Sequence, residues 1–280
     1  MKQKIYPTAL TIAGSDSGGG AGIQADLKTF SALGVYGASV ITAVTAQNTI
    51  GVQAIHPIPA SIIEAQAKSV CSDLSIHSLK VGMLHSVDTI ESVASIIRKY
   101  ALKNIVIDPV MVATSGDSLM QIDAIDYFEK TLFPFATILT PNIEEAFTLT
   151  GIRVTTLDEQ YKAGEVLLKK GCEAVLMKGG HLGDRSKTDI LFLQNKTPII
   201  FSAPCVDTQN THGTGCTLSS AIAAYLALGY TIEEAVRKAK LFITEALIAG
   251  SDIKTGHGHG PVNHFFNPQC LKSKSPNQCK

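Results

Sequence analysis

Short β-branched segments alternate with longer amphipathic segments along most of this 280-residue chain, and that alternation restricts the folds it can adopt. Strands joined through helices run parallel in one sheet, and the helices cover both faces of that sheet. The sequence therefore predicts an α/β protein of three layers, α/β/α, with a mostly parallel central sheet. The predicted strands are residues 9–13, 39–45, 79–81, 104–107, 136–139, 174–177, 188–193 and 199–203. The predicted helices are residues 22–33, 59–71, 87–100, 121–132, 143–150, 157–170, 214–228 and 232–249.

Composition narrows the classes of partner. Lys plus Arg and Asp plus Glu number 24 each, so the net charge gives no electrostatic argument for nucleic acid or an anionic membrane. No apolar run reaches the roughly 18 residues of a membrane span, and no signal-like segment is seen at the N-terminus. The six cysteines form no C-x-x-C pair, which argues against a disulfide framework or a zinc cluster. We expect a cytoplasmic protein with free thiols and a small-molecule partner.

A glycine-rich loop stands directly before the helix predicted at residues 214–228. It reads Thr211-His212-Gly213-Thr214-Gly215-Cys216. Unpaired backbone N–H groups at a helix start, together with the helix dipole, favour an anion such as a phosphoryl group. The alternative is an ordinary turn capped by Thr, with Cys216 as a small buried apolar residue. In an anion site, the helix start is expected to lower the pKa of Cys216, which makes this thiol a candidate catalytic group.

Further polar and glycine-rich segments follow the predicted strands, at the end of a parallel sheet where ligands bind. Residues 14–22 are rich in glycine, Asp108 follows the fourth strand, Asn142 the fifth and Lys178 the sixth. The glycine-rich segment is no P-loop, because no lysine follows its glycines. It is no dinucleotide motif either, because its glycine spacing is irregular and the next strand carries no carboxylate.

In these segments the chain resembles the ribokinase superfamily and, within it, the bacterial hydroxymethylpyrimidine/phosphomethylpyrimidine kinases of thiamin biosynthesis. The similarity extends from Leu10 to about Phe266. It implies one ribokinase-like domain over residues 1–266, followed by a polar C-terminal tail at 267–280. It also implies a homodimer and an ATP-dependent kinase. The acceptor would be the alcohol of 4-amino-5-hydroxymethyl-2-methylpyrimidine, phosphorylated to the monophosphate and then to the diphosphate.

The resemblance also assigns the residues that hold the phosphate donor. ATP would lay its phosphates against the backbone of Thr211, Gly213, Thr214 and Gly215. Lys178 would add a positive charge to this cradle, as both a nucleotide-binding and a catalytic residue. Its alternative is a solvated lysine at a strand end.

Magnesium is the metal ion that the resemblance implies beside the ATP phosphates. Asn142 and Glu145 would organise the ion and its waters, with help from Asp108, and oxygen ligands suit this hard cation. Asn142 and Glu145 also have the spacing of a helix-capping pair. Both roles are compatible.

The pocket for the pyrimidine ring is carried over from the same resemblance. It comprises Ala21, Asp26, Gln47, Met83 and Val110. The Gln47 amide can match the donor and acceptor on the edge of an aminopyrimidine, and Met83 and Val110 supply apolar faces. Asp26 has the alternative of being a carboxylate on the surface of the first helix.

Cys216 stands where most members of the superfamily carry Asp, a departure shared by the pyrimidine kinases and a related group of pyridoxal kinases. We predict that its thiolate removes the proton of the substrate hydroxyl; the alternative is a neutral thiol, with catalysis by positioning. The related pyridoxal kinases often carry a second cysteine after Asp-Pro-Val-Met, but residues 112–117 contain none. The pyrimidine alcohol is therefore preferred, with a pyridoxal/pyridoxine kinase as the alternative. Residues 112–118 are expected to form a mobile flap.

Overall fold

The computed structural model describes residues 4–112, 119–121, 123–179 and 186–273. The strands are β1 (Thr8–Asp16), β2 (Tyr36–Gln47), β3 (Val52–Pro57), β4 (Ser78–Val81), β5 (Ile105–Ile107), β6 (Ile138–Leu139), β7 (Ala174–Met177), β8 (Ser186–Leu193) and β9 (Ile199–Pro204). The helices are α1 (Gly22–Ala32), α2 (Ala60–Cys71), α3 (Val87–Lys99), α4 (Ala124–Leu132), α5 (Ile143–Thr150), α6 (Leu157–Leu168), α7 (Thr214–Ala227) and α8 (Ile232–Ala249).

Within the described residues, all strands belong to one sheet in the order β3-β2-β1-β4-β5-β6-β7-β8-β9. The pairs from β2 through β7 are parallel, whereas β3, β8 and β9 pair antiparallel at the two edges. The parallel strands are nearly continuous apolar segments such as Ala174–Met177, because both faces of the sheet are covered. The predicted mostly parallel sheet is confirmed.

Two apolar cores lie on opposite faces of this sheet. One includes side chains of α2 to α6, such as Ile63, Ile90 and Phe128, and the other includes side chains of α1, α7 and α8, such as Phe30 and Phe242. The three-layer α/β/α arrangement follows from these two cores. It brings the carboxyl ends of the parallel strands to one edge of the sheet, where the first turn of α7 also lies.

Prediction and structure differ at β3 and at the start of α4. β3 was not predicted from the sequence, and the helix predicted from Gln121 begins three residues later, at Ala124. β3 is a partly exposed antiparallel edge strand that ends in Pro57, and it lacks the apolar run of a buried parallel strand.

The predicted flap and the predicted C-terminal tail are described only in part. Residues 113–118, most of the predicted flap, lie outside the described residues, as do residues 274–280 of the predicted tail. The part of the tail that is described contacts the domain, because the N–H of Gln269 donates to the Ala32 carbonyl at 2.8 Å. None of the described helices is both long and apolar enough to cross a membrane.

Candidate active site

The start of α7 forms a backbone cradle. Gly213 precedes the helix with a φ of +79°, a left-handed conformation that favours glycine, and among the described residues no side chain caps the helix. The Thr214 hydroxyl donates instead to the Thr211 carbonyl at 2.7 Å. The N–H groups of the first turn are therefore left without a side-chain acceptor, which is the arrangement that binds anions at helix starts.

Lys178 lies beside this cradle. A Cβ atom placed on Gly215 would be 3.5 Å from the Lys178 Nζ and 3.8 Å from an Asp108 carboxylate oxygen. The absence of a side chain at Gly215 therefore leaves open the space between the helix start and the ammonium group. The structure brings together the loop, Lys178 and Asp108, all of which the sequence analysis placed in one site.

Lys178 pairs with two acidic residues. Its Nζ is 3.1 Å from the Asp108 Oδ1 and 3.9 Å from the Glu145 Oε2. Burial opposes the charge of Lys178, but these two carboxylates outweigh it and raise the pKa of the ammonium group. Its side chain is only 14% exposed, so the alternative of a solvated lysine is wrong. The positive charge is held at the edge of the cradle.

The pKa values of the two carboxyl groups shift in opposite directions. Burial raises the pKa of Glu145 to about 7, with Lys178 opposing the shift. Burial also opposes the charge of Asp108, but the ammonium groups of Lys178 and Lys80 outweigh it and lower the pKa of Asp108. The Thr140 and Ser219 hydroxyls each donate to the Asp108 carboxylate at 3.2 Å. Asp108 is thus a fixed anion beside Lys178.

Asn142 and Glu145 form the capping pair that their spacing predicted. The Asn142 side chain accepts from the Glu145 N–H at 2.8 Å, and the Glu145 carboxylate accepts from the Asn142 N–H at 2.7 Å. This confirms the capping role. Within the described residues, no group of three His, Cys, Asp or Glu side chains could hold a metal ion on its own. Carboxylate oxygens of Asp108 and Glu145 do fit Mg²⁺, because this ion commonly binds one or two carboxylates together with substrate phosphates and water.

Cys216 occupies the first turn of α7, near the backbone N–H of Gly22. Burial raises the pKa of the Cys216 thiol to about 11, even though the Lys80 ammonium opposes the shift. The prediction that the helix start lowers this pKa is therefore wrong, because loss of solvent outweighs the nearby positive charge. In the free protein the thiol is neutral at pH 7, which favours the alternative of catalysis by positioning.

Asp26 lies in a buried polar cluster and has no exposed surface. Its carboxylate accepts from the Thr11 hydroxyl at 2.6 Å, the Lys80 ammonium at 3.0 Å and the Ser220 hydroxyl at 2.5 Å. Burial opposes the charge of Lys80, but Asp26 outweighs it and raises the pKa of the ammonium group. The alternative of a carboxylate on the helix surface is wrong. The contact of Asp26 with a substrate ring stays a prediction.

The other predicted ring contacts fall into two places. Met83 and Val110 pack in a small apolar cluster with Ala43 and Leu119. Ala21 lies instead in the loop of residues 17–21 that follows β1, and Gln47 lies beside this loop, because the Ser17 hydroxyl donates to the Gln47 carbonyl at 2.9 Å. The Gln47 side-chain oxygen lies 3.1 Å from the Thr45 hydroxyl, which also lies 2.9 Å from the Ser15 carbonyl. The contact of these four residues with a substrate ring stays a prediction.

Comparison with known proteins identifies the family. The model of the phosphomethylpyrimidine kinase family matches residues 16–263. This chain belongs to that family. A hydroxymethylpyrimidine/phosphomethylpyrimidine kinase from Rhizobium meliloti is 50% identical over 258 residues, which are 92% of this chain and 96% of the relative.

Solved structures agree with the family assignment. The crystal structure of phosphomethylpyrimidine kinase from Clostridium difficile is 48% identical and has a TM-score of 0.75, covering 86% of this chain and 99% of that one. An ADP complex of Bacillus subtilis pyridoxal kinase is 37% identical and has a TM-score of 0.85, covering 93% and 98% of the two chains. The predicted ribokinase-like fold and phosphotransferase activity are confirmed.

Two residues of the candidate site, Asp16 and His212, were not predicted from the sequence. The His212 Nε2 is 2.8 Å from the Asp16 Oδ2. Asp16 also accepts from the N–H groups of Gly18, Gly20 and Ala21, at 2.8, 3.0 and 2.8 Å. A local signal did exist, because an Asp two residues before glycine commonly accepts backbone N–H groups in a turn. The contact with His212 spans 196 positions and has no such local signal.

The neutral Cys216 thiol leads to a prediction for Cys216→Ser. A serine hydroxyl can occupy the position of the thiol, so we expect kcat to stay within about tenfold of the wild-type value at pH 7.5, measured as ADP release with saturating substrates. Removal of a true general base costs about 10²–10⁴-fold. A loss of that size in Cys216→Ser, together with loss of an ionisation from the pH profile, would restore the base role.

Proposed function

We propose that this kinase transfers the γ-phosphoryl group of ATP to the primary alcohol of 4-amino-5-hydroxymethyl-2-methylpyrimidine, and then phosphorylates the monophosphate to the diphosphate. The observation that carries the proposal is the juxtaposition of Lys178 and Cys216 with the open backbone cradle at Gly215. The relatives support the acceptor, because their name includes both the hydroxymethylpyrimidine and the phosphomethylpyrimidine.

On the donor side, the backbone N–H groups at Gly213 to Cys216 would donate hydrogen bonds to the ATP phosphates. Their dipoles point at the space in which negative charge redistributes as the phosphoryl group moves, and Lys178 adds a full positive charge there. Phosphoryl transfer depends mainly on such positioning and electrostatics, so few groups are needed for bond making. The ADP complex of a related pyridoxal kinase supports a nucleotide donor.

The metal and the acceptor have separate places in this proposal. Asp108 and Glu145 would hold Mg²⁺, with Asn142 fixing the Glu145 carboxylate; the ion, when bound, would neutralise charge on the phosphates. The acceptor ring would lie between the Met83 and Val110 side chains and the Gln47 amide. The neutral Cys216 thiol would orient the alcohol beside the cradle. The homodimer and the cytoplasmic location remain predictions.

The experiment compares two alcohols with the purified protein, ATP and magnesium. We expect the pyrimidine alcohol to be converted to a monophosphate and then a diphosphate, identified by mass spectrometry. Pyridoxal serves as the second acceptor, because the solved relatives include a pyridoxal kinase. Efficient phosphorylation of pyridoxal with none of the pyrimidine alcohol would contradict the proposed acceptor.

A further inference from the structure

The loop of residues 17–21 after β1 and the loop of residues 211–216 before α7 touch through their backbones. A Cβ atom on Gly213 would collide with the Gly20 carbonyl oxygen, and a Cβ atom on Gly20 would collide with the His212 ring. The two loops therefore approach more closely than side chains at these glycines would allow. Each loop has a different partner in the proposed reaction. The first contains Ala21, from the predicted ring pocket, and the second forms the phosphate cradle.

Asp16 and His212 join the same two loops through a buried hydrogen bond. Their relative exposures are 2% and 8%. Burial opposes the charge of Asp16, but the bonds from His212 and the Ala21 N–H outweigh it and hold the pKa of Asp16 below its usual value. An ionised carboxylate only accepts hydrogen bonds, so the His212 Nε2 carries the proton in this contact. The carboxylate orients three N–H groups of the first loop and the imidazole of the second at once.

We propose that Asp16 and His212 are positioning residues that hold the acceptor alcohol in line with the terminal phosphate of ATP. The proposal rests on the proposed function. Gly22, the first residue of α1 and the residue that follows the first loop, lies near the Cys216 thiol, so the two sides also approach each other where the alcohol would react. In this proposal the His212 ring acts without touching a reacting atom. It acts by fixing the distance between the loops.

A positioning role predicts which kinetic constant changes. The two substrates would still bind to their own loops when the contact is broken, so their separate affinities change little. The reacting oxygen and phosphorus atoms would be aligned in a smaller fraction of the complexes, so kcat falls. A purely structural role would instead lower stability and leave the kcat of the folded fraction unchanged.

The experiment uses His212→Leu, which removes the donor, and His212→Gln, whose amide N–H can reach Asp16. We expect kcat with the pyrimidine alcohol to fall about tenfold or more in His212→Leu and to recover to within about threefold in His212→Gln. ADP affinity, measured by calorimetry, and the KM for the alcohol should each stay within threefold of wild type. His56→Leu is the matched control, because His56 is exposed on the edge strand β3 and is expected to leave all of these values unchanged.

Thermal unfolding of each variant reports whether it is folded at the assay temperature. If His212→Leu is unfolded there, the comparison of His212→Gln with His212→Asn, whose shorter amide does not reach Asp16, replaces it. Wild-type kcat in a folded variant without the donor would overturn the proposal, and so would a loss confined to ADP affinity. Failure of the wild-type protein to phosphorylate the pyrimidine alcohol would instead overturn the proposed function, which keeps the two outcomes distinct.

Discussion

Replacing Lys178 with methionine is expected to lower kcat/KM for the pyrimidine alcohol by about 10³-fold. The Lys178 Nζ lies beside the open cradle at Gly215, and its charge is held there by Asp108 and Glu145. Methionine has a similar volume but no charge. The variant would leave two buried carboxylates facing the ATP phosphates, so both the binding of ATP and the stabilisation of the moving phosphoryl group should suffer. Initial rates over a range of ATP concentrations measure the effect.

Lys170→Met is the matched control for this change. Lys170 also pairs with a carboxylate, because its Nζ is 2.6 Å from the Glu129 Oε2, but its contacts are with α4 and α5 rather than with the cradle. We expect kcat/KM of Lys170→Met to stay within about twofold of wild type. Urea unfolding of both variants separates lost stability from lost catalysis. A folded Lys178→Met protein that keeps a tenth or more of the wild-type kcat/KM would show that the ammonium group does not act on the phosphates.

Gly215→Ala is expected to lower kcat/KM by about 100-fold while leaving the protein at least as stable as wild type. The new methyl group would stand 3.5 Å from the Lys178 Nζ, an ordinary contact for the folded protein but inside the space proposed for a phosphate. Alanine is favoured over glycine within a helix by roughly 0.5–1 kcal/mol. Activity and stability should therefore change in opposite directions.

Two measurements on Gly215→Ala check this expectation. Thermal unfolding should give a midpoint equal to or above that of wild type, and calorimetry should show weaker binding of ADP. A variant with wild-type kcat/KM would mean that no phosphate occupies the space next to Gly215. A variant that loses both stability and activity would mean that the methyl group disturbs the fold, and Gly215→Ser, which has the same Cβ atom and adds a polar group, then tests whether the space or its polarity matters.

Much of the fold was predictable because its signals are local. The helices α5 and α8 were predicted with their observed bounds, since Asn142 and Thr231 cap their starts and apolar residues repeat with helical spacing behind them. β7 was predicted with its observed bounds as well, because a strand buried on both faces is apolar throughout. β3 was missed, because an edge strand paired only with β2 has no need of such a pattern.

The candidate site, like the fold, was predictable from the sequence only in part. The parallel sheet made it possible to predict which loops converge. The structure does bring Lys178 and Asp108 to the start of α7. The charge state of Cys216 did not follow, because it depends on how far the surrounding chain excludes water from the sulfur. The contact between Asp16 and His212 depends on the packing of two loops that are distant in sequence, so no local pattern contains it.

The central claim is that the backbone at the start of α7 and the Lys178 ammonium bind the terminal phosphates of ATP. A crystal structure with a non-hydrolysable ATP analogue and the pyrimidine alcohol tests it most directly. We expect phosphate oxygens within hydrogen-bond distance, about 2.7–3.2 Å, of the Gly215 N–H and the Lys178 Nζ, with the alcohol oxygen beside the Cys216 sulfur. Phosphates bound at another part of the sheet edge, with the space above Gly215 closed or filled by side chains, would contradict the account.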